Sequence, residues 1–369
     1  MQDKTNSVSA NRTIDRFPST TNKSLRAWAS SDELILSYLE DHNIPKSNLT
    51  IYNDRFGYLA VQLADYSPTL ITSYRSQEIA IDRNLDKNKL SSLSQSHLTE
   101  SLEDRIGTAL VKVPKSMDLF RLILSHLAHH STSETTVICG FMTKYFTKQM
   151  LEIASIYFEV VEQSLAHKKA RLLVLNKPRP IEKEQLTHAI PHTLISGREV
   201  DLVQYYGVFS AKHIDYATQF LLSRLEVDAS IKTVLDLASG NGVIGLNIID
   251  LIPIAELHLL DDSQLAVASS RINLSAYDVE HHYTFELDGL QEEYFDLVVC
   301  NPPFHFEHEN TIEIALELFE GAYHVLKYEG RFVCVANLHL NYQTHLKKIF
   351  DQVDVVDMNA KFVVYECWK

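Results

Sequence analysis

The segment Thr233–Leu246, with the sequence TVLDLASGNGVIGL, constrains the fold of this chain more than any other feature. A β-rich apolar run is followed by a glycine turn, and the apolar pattern of a helix begins at Val243. Gly240 and Gly242 allow a ligand to approach the backbone closely, and Gly245 allows the helix to pack against the strand. A strand, glycine turn and helix in this order are typical of a parallel α/β sheet.

The second half of the chain alternates strand-like and helix-like segments, as a parallel sheet with helices on both faces requires. The first half repeats this order. Leu49–Asn53 with the turn Phe56-Gly57 corresponds to the first strand and glycine turn, and Thr108–Val113 corresponds to the apolar strand Phe295–Cys300. We predict the α/β fold class, with two tandem Rossmann-like domains that arose by duplication. Two unrelated domains with a common layout are the alternative.

The length of the chain also favours two domains, because 369 residues exceed the size of one ordinary domain. Proline, glycine and charged residues concentrate between the two halves and predict a linker there. The predicted domains are residues 1–180 and 199–369, joined by a linker over residues 181–198 that contains Pro191 and Gly197.

Composition excludes several classes of protein. Hydrophobic residues make up 45% and charged residues 22%, which excludes a wholly disordered or fibrous chain. No apolar run approaches the roughly 20 residues that a membrane span needs, and the polar N-terminus does not resemble a signal peptide. The cysteines are widely spaced without a CxxC pair, which fits a reducing compartment. We expect a cytoplasmic protein that binds neither a membrane nor a metal.

Charge is distributed unevenly along the chain. Residues 1–200 carry a net charge of +2, and residues 201–369 carry −16. Because affinity for phosphates comes from lysine and arginine, any contact with nucleic acid is expected mainly from the first half. An acidic surface that only keeps the protein soluble explains the same distribution equally well.

The acidic residues around the glycine turn indicate which cofactor binds. The glycine spacing alone also fits a dinucleotide, so a dehydrogenase is an alternative. Asp236, however, lies where a nicotinamide enzyme keeps an apolar residue, and a carboxylate there suits a cationic amino group. Asp261 ends the next strand, where it can accept the hydroxyls of a ribose. Together these two carboxylates favour S-adenosylmethionine.

The tetrapeptide Asn301-Pro302-Pro303-Phe304 follows an apolar strand, where open α/β sheets bind ligands. The prolines remove two N–H donors. The remaining surface consists of the Asn301 side-chain oxygen, the Pro302 carbonyl and the ring of Phe304. It suits an exocyclic amine on a planar base, and placing that amine beside an electrophilic methyl group accelerates transfer by proximity. This predicts a methyltransferase that acts on an amine.

Other candidate residues have two interpretations each. Phe209 could stack on an adenine with Asp215 fixing its loop, or the two could be a core residue and a helix start. Asp288 could meet the adenine amine or be a turn residue. We predict the catalytic residues to be Asn301, Pro302 and Phe304. The predicted cofactor-binding residues are Phe209, Asp236, Ser239, Gly240, Asn241, Gly242, Asp261, Asp288 and Asn301.

Several stretches resemble one known family, the bacterial ribosomal RNA guanine-N2 methyltransferases. They are LDLASGNGVIGL, LLDDS, VASSRINL, LVVCNPPFH and VANLHLNYQTHLKKIF. Within this family, DRFPSTTNKSLRAWASSDELIL and VKVPKS resemble the members that act on guanine 1835 of 23S rRNA more than those that act on 16S rRNA.

The resemblance implies tandem class I methyltransferase-like domains, with a catalytic C-terminal domain that uses S-adenosylmethionine and a degenerate N-terminal domain that recognises RNA. The sequence agrees, because Asn53–Gly57 has no GxG and Val113–Ser116 replaces the NPPF tetrapeptide. The implied substrate is a guanine N2 amine in 23S rRNA, in a protein-free or precursor form. Candidate phosphate contacts are Arg16, Lys112, Lys115, Lys144, Lys148, Lys168, Lys169 and Arg171.

Alternatives to this reading differ in acceptor or in class. They are 16S rRNA, adenine N6, a protein glutamine amide, and an RNA-binding assembly factor without catalytic turnover. The retained Asp236, Asp261 and Asn301 argue against the last of these.

Overall fold

A computed structural model describes residues 12–20, 24–181, 186–303 and 312–369. The chain divides between residues 182 and 183 into two compact units. Among the described residues, no helix is long and apolar enough to cross a membrane.

The N-terminal unit alternates helices and strands. In chain order its elements are α1 (Ser30–Asp41), β1 (Leu49–Tyr52), α2 (Tyr58–Gln62), β2 (Thr69–Thr72), α3 (Arg75–Lys87), β3 (Gln95–His97), β4 (Ile106–Lys112), α4 (Met117–His130), β5 (Ser131–Met142), α5 (Lys148–Tyr157), β6 (Phe158–Gln163) and β7 (Ala170–Pro178).

The C-terminal unit begins with a hairpin and then follows the same alternation. Its elements are β8 (Thr187–Thr193), β9 (Glu199–Tyr205), α6 (Tyr216–Leu222), β10 (Thr233–Leu237), α7 (Val243–Leu251), β11 (Glu256–Asp261), α8 (Gln264–Asn273), β12 (Glu280–Tyr283), β13 (Phe295–Cys300), α9 (Glu313–Val325), β14 (Leu326–Asn337), α10 (Gln343–Leu346), β15 (Gln352–Met358) and β16 (Phe362–Trp368).

The two units have sheets of the same topology. Within the described residues each sheet has seven strands, in the order β3-β2-β1-β4-β5-β7-β6 in one unit and β12-β11-β10-β13-β14-β16-β15 in the other. In both sheets the first five strands in this order are parallel, and the last two add an antiparallel edge. The predicted fold class, two tandem Rossmann-like α/β domains with methyltransferase topology, is confirmed.

Strand register matches individual residues between the two units. Tyr52 at the end of β1 pairs with Val111 of β4, as Leu237 at the end of β10 pairs with Cys300 of β13. The next residue in each turn, Asn53 or Ala238, has a positive φ, of 58° and 59° respectively. Both turns also end on a glycine of positive φ, Gly57 or Gly242, but they differ between these points, since Gly240 has a positive φ and the corresponding Arg55 does not.

Alternate residues of the C-terminal strands pack into cores on opposite faces of the sheet. Val234, Leu259 and Val299 belong to one core, and Leu235, Leu260 and Cys300 belong to the other. Cys300 is fully buried, and burial raises the pKa of its thiol. It is therefore a structural core thiol, as its apolar neighbours predict.

The predicted linker 181–198 contains regular structure. Thr187–Thr193 forms β8, which pairs antiparallel with β9, and Ile190 and Leu194 are buried in the C-terminal core. The proline that favoured a linker, Pro191, lies within this strand. Since β9 is the single strand that pairs with β8 in the described part of the chain, a proline is tolerated in β8.

Candidate active site

Three neighbouring strands of the C-terminal sheet, β11, β10 and β13, bring most of the predicted site residues to one edge. Asp236 lies in β10 with the glycine turn after it, Asp261 ends β11, and Asn301 follows β13 directly. Ligands bind at this edge in open α/β sheets because the loops after the strands diverge there.

The backbone of the glycine turn adopts conformations that are unfavourable for residues with a Cβ atom. Gly240 and Gly242 have positive φ values of 55° and 80°. A Cβ on Gly242 would lie 2.7 Å from the Leu274 side chain and 3.0 Å from that of Ser270, whereas one on Gly240 would meet nothing within 4 Å. Gly242 therefore allows close packing between elements, and Gly240 leaves open space beside the turn.

Asp236 is fully buried beneath the glycine turn. Its Oδ2 accepts a hydrogen bond from the Gly245 N–H at 2.8 Å, and its Oδ1 has no partner among the described residues. Burial raises the pKa of Asp236 to about 8, and the nearby charge of Asp261 adds to this effect. A ligand with a cationic amino group would relieve both the missing hydrogen bond and the unfavourable charge.

Asp261, on the neighbouring strand β11, accepts hydrogen bonds from the backbone of the glycine turn and of the turn after β11. Its Oδ2 accepts from the Gly240 N–H and its Oδ1 from the Ser263 N–H, both at 2.8 Å. Burial raises the pKa of Asp261, and these two hydrogen bonds oppose that shift. Each carboxylate oxygen keeps further acceptor capacity.

The Asn301 amide is held by helix α6. Its Nδ2 donates to Thr218 Oγ1 at 2.8 Å and to Asp215 Oδ2 at 3.2 Å. A carboxylate can only accept, so the amide nitrogen must face Asp215 and the amide oxygen must face away. That oxygen, Oδ1, is buried and has no partner among the described residues. It is an oriented hydrogen-bond acceptor.

Asp215 has a second role as the N-cap of α6, because its carboxylate also accepts from the N–H groups of Ala217 and Thr218. The sequence-based interpretation as a helix start is therefore confirmed. The contact with Asn301 could not be read from the sequence.

Gln204 is a site residue that the sequence analysis missed. It is buried, its amide donates to the carbonyl oxygens of Val208 and Phe209 at 3.3 and 3.2 Å, and its Oε1 accepts from Asn241 at 2.9 Å. It thereby ties the turn that carries Phe209 to the glycine turn. A polar residue at an inward-facing position of β9 was the available signal.

The remaining predicted residues are placed as follows. Phe209 is 66% exposed, so its interpretation as a core residue is wrong. Ser239 is buried with an unpartnered Oγ in the described structure, and Pro302 is buried beside Asn301. Asp288 is exposed in a turn five residues beyond the end of β12. Phe304 lies outside the described residues.

The N-terminal unit has different residues at the corresponding positions. Strand register places Lys112 where the other unit has Asn301, and Ile51 and Thr72 where it has Asp236 and Asp261. The acceptors that would bind the cofactor are absent at these positions.

Lys112 is instead part of an ionic cluster. Its Nζ lies 3.0 Å from Asp32 Oδ2 and 3.5 Å from Asp54 Oδ1, and both carboxylates are buried. Lys112 is therefore committed to the interior of the unit, which corrects its place among the candidate phosphate contacts.

Comparison with known proteins agrees with this architecture. Residues 2–179 match the family model described as the RLMG N-terminal domain, and residues 199–366 match the Methyltransferase small domain. The fold, the unpartnered acceptors at the site and the second match define a methyltransferase that uses S-adenosylmethionine. Its two halves are similar to the RLMG N-terminal domain and to the methyltransferase small domain.

Among solved structures, the chain is similar to the 16S rRNA N2 G1207 methyltransferase (RsmC) of T. thermophilus, in complex with AdoMet and guanosine. The match has a TM-score of 0.79 and 20% identity, and covers 92% of each chain. At this identity the likeness establishes the fold. A predicted O-methyltransferase from Agrobacterium tumefaciens matches 40% of this chain and 79% of its own, with 18% identity and a TM-score of 0.35, too low to support an inference.

Proposed function

We propose that this protein methylates the exocyclic N2 amine of a guanine in ribosomal RNA, with 23S rRNA as the substrate. The observation that carries the proposal is the oriented Asn301 amide. Its nitrogen is held by Asp215 and Thr218, and its buried oxygen faces away without a partner among the described residues. An amine N–H is the donor that such an oxygen lacks.

The guanine N2 nitrogen, which receives the methyl group, would be positioned by two oxygens of the protein. Its two N–H groups would donate to Asn301 Oδ1 and to the Pro302 carbonyl, which directs the nitrogen lone pair out of the plane of those bonds. Phe304, outside the described residues, is proposed to stack on the base. Orientation of this kind supplies a large share of the rate because it replaces a random encounter with a fixed approach.

The cofactor would be held by the three strand ends. When bound, S-adenosylmethionine supplies an electrophilic methyl group. Asp236 would accept from its amino group, and Asp261 would accept from its ribose hydroxyls. The remaining proposed contacts come from the turns, namely Phe209, Ser239, Gly240, Asn241, Gly242 and Asp288.

We assign RNA recognition to the N-terminal domain because exposed lysines collect at one edge of its sheet. Lys115 follows β4, Lys144 and Lys148 follow β5, and Lys168 and Lys169 precede β7, which pairs with the end of β5. We call these five residues the basic edge. Positive charge along an edge suits a phosphate backbone. The guanine must leave its helix to reach the acceptors, so single-stranded, protein-free or precursor RNA is the proposed form.

Two observations bear on the choice of RNA. The match of residues 2–179 to the RLMG N-terminal domain and the resemblance of the N-terminal segments favour 23S rRNA. The structural likeness to a 16S rRNA enzyme over 92% of the chain makes 16S rRNA the second candidate.

The decisive experiment incubates the purified protein and methyl-labelled S-adenosylmethionine with 23S rRNA, 16S rRNA and assembled subunits, each separately. Digestion and mass spectrometry then identify the labelled nucleoside. N2-methylguanosine in 23S rRNA is the expected product. The same nucleoside in 16S rRNA alone would move the assignment to the second candidate, and label on adenine or protein would overturn the guanine assignment.

A further inference from the structure

A cluster of histidine and glutamate side chains lies away from the site described above, on strands β11 and β12. His258 Nδ1 is 2.9 Å from His282 Nε2, and Glu280 Oε2 lies 3.6 Å from the first nitrogen and 3.8 Å from the second. The two imidazole rings are stacked, with 10° between their planes. Two imidazole nitrogens and one carboxylate oxygen thus lie within 3.8 Å of one another.

These separations match the edges of a tetrahedral metal site. Metal–ligand distances of about 2.0–2.1 Å place tetrahedral ligand atoms about 3.3 Å apart. Three ligand atoms 2.9 to 3.8 Å apart require shifts of only a few tenths of an ångström to reach that geometry. Glu280 is largely exposed, so its carboxylate is free to make this adjustment.

A fourth side chain fixes the orientation of His258. Its Nε2 lies 2.9 Å from Glu256 Oε1, and that oxygen also accepts a hydrogen bond of 2.6 Å from the Tyr294 hydroxyl. Because the carboxylate accepts the Nε2 proton, the lone pair of His258 is on Nδ1, directed toward His282 and Glu280. A carboxylate behind a ligating histidine is the arrangement that metal sites use to fix the ring and its tautomer.

We propose that His258, Glu280 and His282 form a site for a divalent transition metal, with Zn²⁺ as the ion that fits best. Imidazole and carboxylate ligands suit Zn²⁺, and three protein ligands leave one position for water. The ligands come from adjacent parallel strands, where His258 is the register partner of Glu280. The ion would therefore join β12, at the end of the sheet, to β11.

The site is separate from the proposed methyl-transfer machinery. His258 precedes Asp261 by three residues on β11, roughly 10 Å along the strand. His282 is the register partner of Leu260, so its side chain lies on the opposite face of the sheet from that of Asp261. We therefore expect the ion to stabilise the sheet edge and to leave the affinity for S-adenosylmethionine unchanged.

The test uses the full-length protein, freed of metal with a chelator and titrated with ZnCl₂ by calorimetry. One Zn²⁺ per chain with a micromolar dissociation constant is the expected result. Binding of Zn²⁺ should also raise the melting temperature. Co²⁺ in its place should give the visible absorption of a four-coordinate ion. A folded protein that binds no Zn²⁺ would overturn the proposal.

Variants separate this site from other surface histidines. His282→Gln and Glu280→Gln should each weaken Zn²⁺ binding at least tenfold while circular dichroism and S-adenosylmethionine affinity stay as in the wild type. His281→Gln is the matched control, because this neighbour bonds Ser270 instead of joining the cluster, and it should bind Zn²⁺ normally. Equal Zn²⁺ affinity in His282→Gln, Glu280→Gln and wild type would show that the ion binds elsewhere and that the two rings share an ordinary hydrogen bond.

Discussion

In the proposed mechanism, two residues that touch no substrate orient the amide of Asn301. Asp215 and Thr218 satisfy its amide nitrogen, and this leaves the amide oxygen as the group available at the end of β13. Asp215 is the N-cap of the short helix α6, and Thr218 lies in its first turn. The orientation of the Asn301 amide therefore depends on the position of α6. Asp215 and Thr218 are thus positioning residues.

Replacement of Asn301 by alanine is expected to separate binding from chemistry. Asn301→Ala should reduce methyl transfer by about 10²-fold or more, because the oriented acceptor is lost. Affinity for S-adenosylmethionine, measured by calorimetry, should change little, since Asp236 and Asp261 remain. Near-normal turnover of this variant would contradict the proposed role of the amide.

Thr218→Val tests the positioning step. It removes one of two hydrogen bonds from Nδ2 and keeps the size of the side chain, so kcat should fall by roughly fivefold, about 1 kcal/mol. Thr344→Val, at an exposed position on the same unit, is the matched control and should keep full activity. A loss of activity that follows the melting temperature in both variants would point to stability and not to positioning.

The pKa of Asp236 predicts a pH dependence of stability. Burial raises this pKa to about 8, so the folded protein binds a proton that the unfolded chain has released above pH 4. Stability without cofactor should therefore fall as the pH rises from 6 to 8, by about 2 kcal/mol from this group.

The Asp236→Asn variant provides the comparison. Its asparagine can still accept from Gly245 and does not ionise, so denaturant unfolding at pH 6 and pH 8 should show a smaller loss of stability than in the wild type. Parallel pH profiles of the two proteins would show that Asp236 does not titrate in this range.

At the scale of elements, the two glycines of the turn are expected to have different roles, Gly242 in stability and Gly240 in cofactor binding. Gly242→Ala should destabilise the protein by about 2–4 kcal/mol, since a positive φ and overpacking against Leu274 and Ser270 act together. Gly240→Ala carries only the backbone penalty, about 1 kcal/mol, because its Cβ would meet open space. It should instead weaken cofactor binding. Urea unfolding and calorimetry on both variants distinguish the two effects, and equal destabilisation would contradict this division.

Most elements could be predicted because their apolar patterns are local. Strand β13 has the predicted bounds Phe295–Cys300, and helix α7 begins at the predicted Val243. Strand β4 is displaced from the predicted Thr108–Val113, since it begins at Ile106 and ends at Lys112. Strand β8 was missed because Pro191 and the charged residues around it are typical of linkers. In this strand Ile190 is nevertheless buried in the core of the C-terminal unit.

The site was predictable where one motif carries it and not where distant elements meet. Asp236 and Asn301 belong to recognisable segments. Gln204, Thr218 and the His258–His282 pair owe their significance to contacts across 24 to 83 residues of sequence. The expectation of no metal rested on sequence spacing and stays a prediction, which the Zn²⁺ titration decides against the proposed site on β11 and β12.

At the scale of the whole molecule, the two units show one fold used in two ways. The C-terminal unit has hydrogen-bond acceptors without partners in the described structure, Asp236 Oδ1 and Asn301 Oδ1, near its strand ends. The N-terminal unit fills the equivalent place with Lys112, Asp32 and Asp54 and carries lysines around it. Cys139 and Cys334 still occupy equivalent positions next to β4 and β13. The two sheets therefore share one topology, while the residues at the equivalent strand ends differ.

Lys112→Met is expected to destabilise the N-terminal unit by about 3–5 kcal/mol, because two buried carboxylates lose their counter-charge. Lys115→Met, three residues further on and exposed, should leave the melting temperature unchanged. Calorimetric unfolding measures both. An unaffected Lys112→Met variant would contradict a stabilising role for the two ion pairs.

The division of roles between the units predicts how RNA affinity depends on charge. Changing Lys115, Lys144 and Lys148 of the basic edge to glutamate should weaken binding to 23S rRNA by roughly tenfold or more. The fall of log K with log salt should also become less steep, by about 2 in the magnitude of the slope. Reversing three exposed lysines of the other unit, Lys347, Lys348 and Lys361, changes the net charge equally. If the net charge of the protein governed binding, both triple variants would lose the same affinity. If the N-terminal domain holds the RNA, only the first triple variant loses it, and its affinity for S-adenosylmethionine stays unchanged.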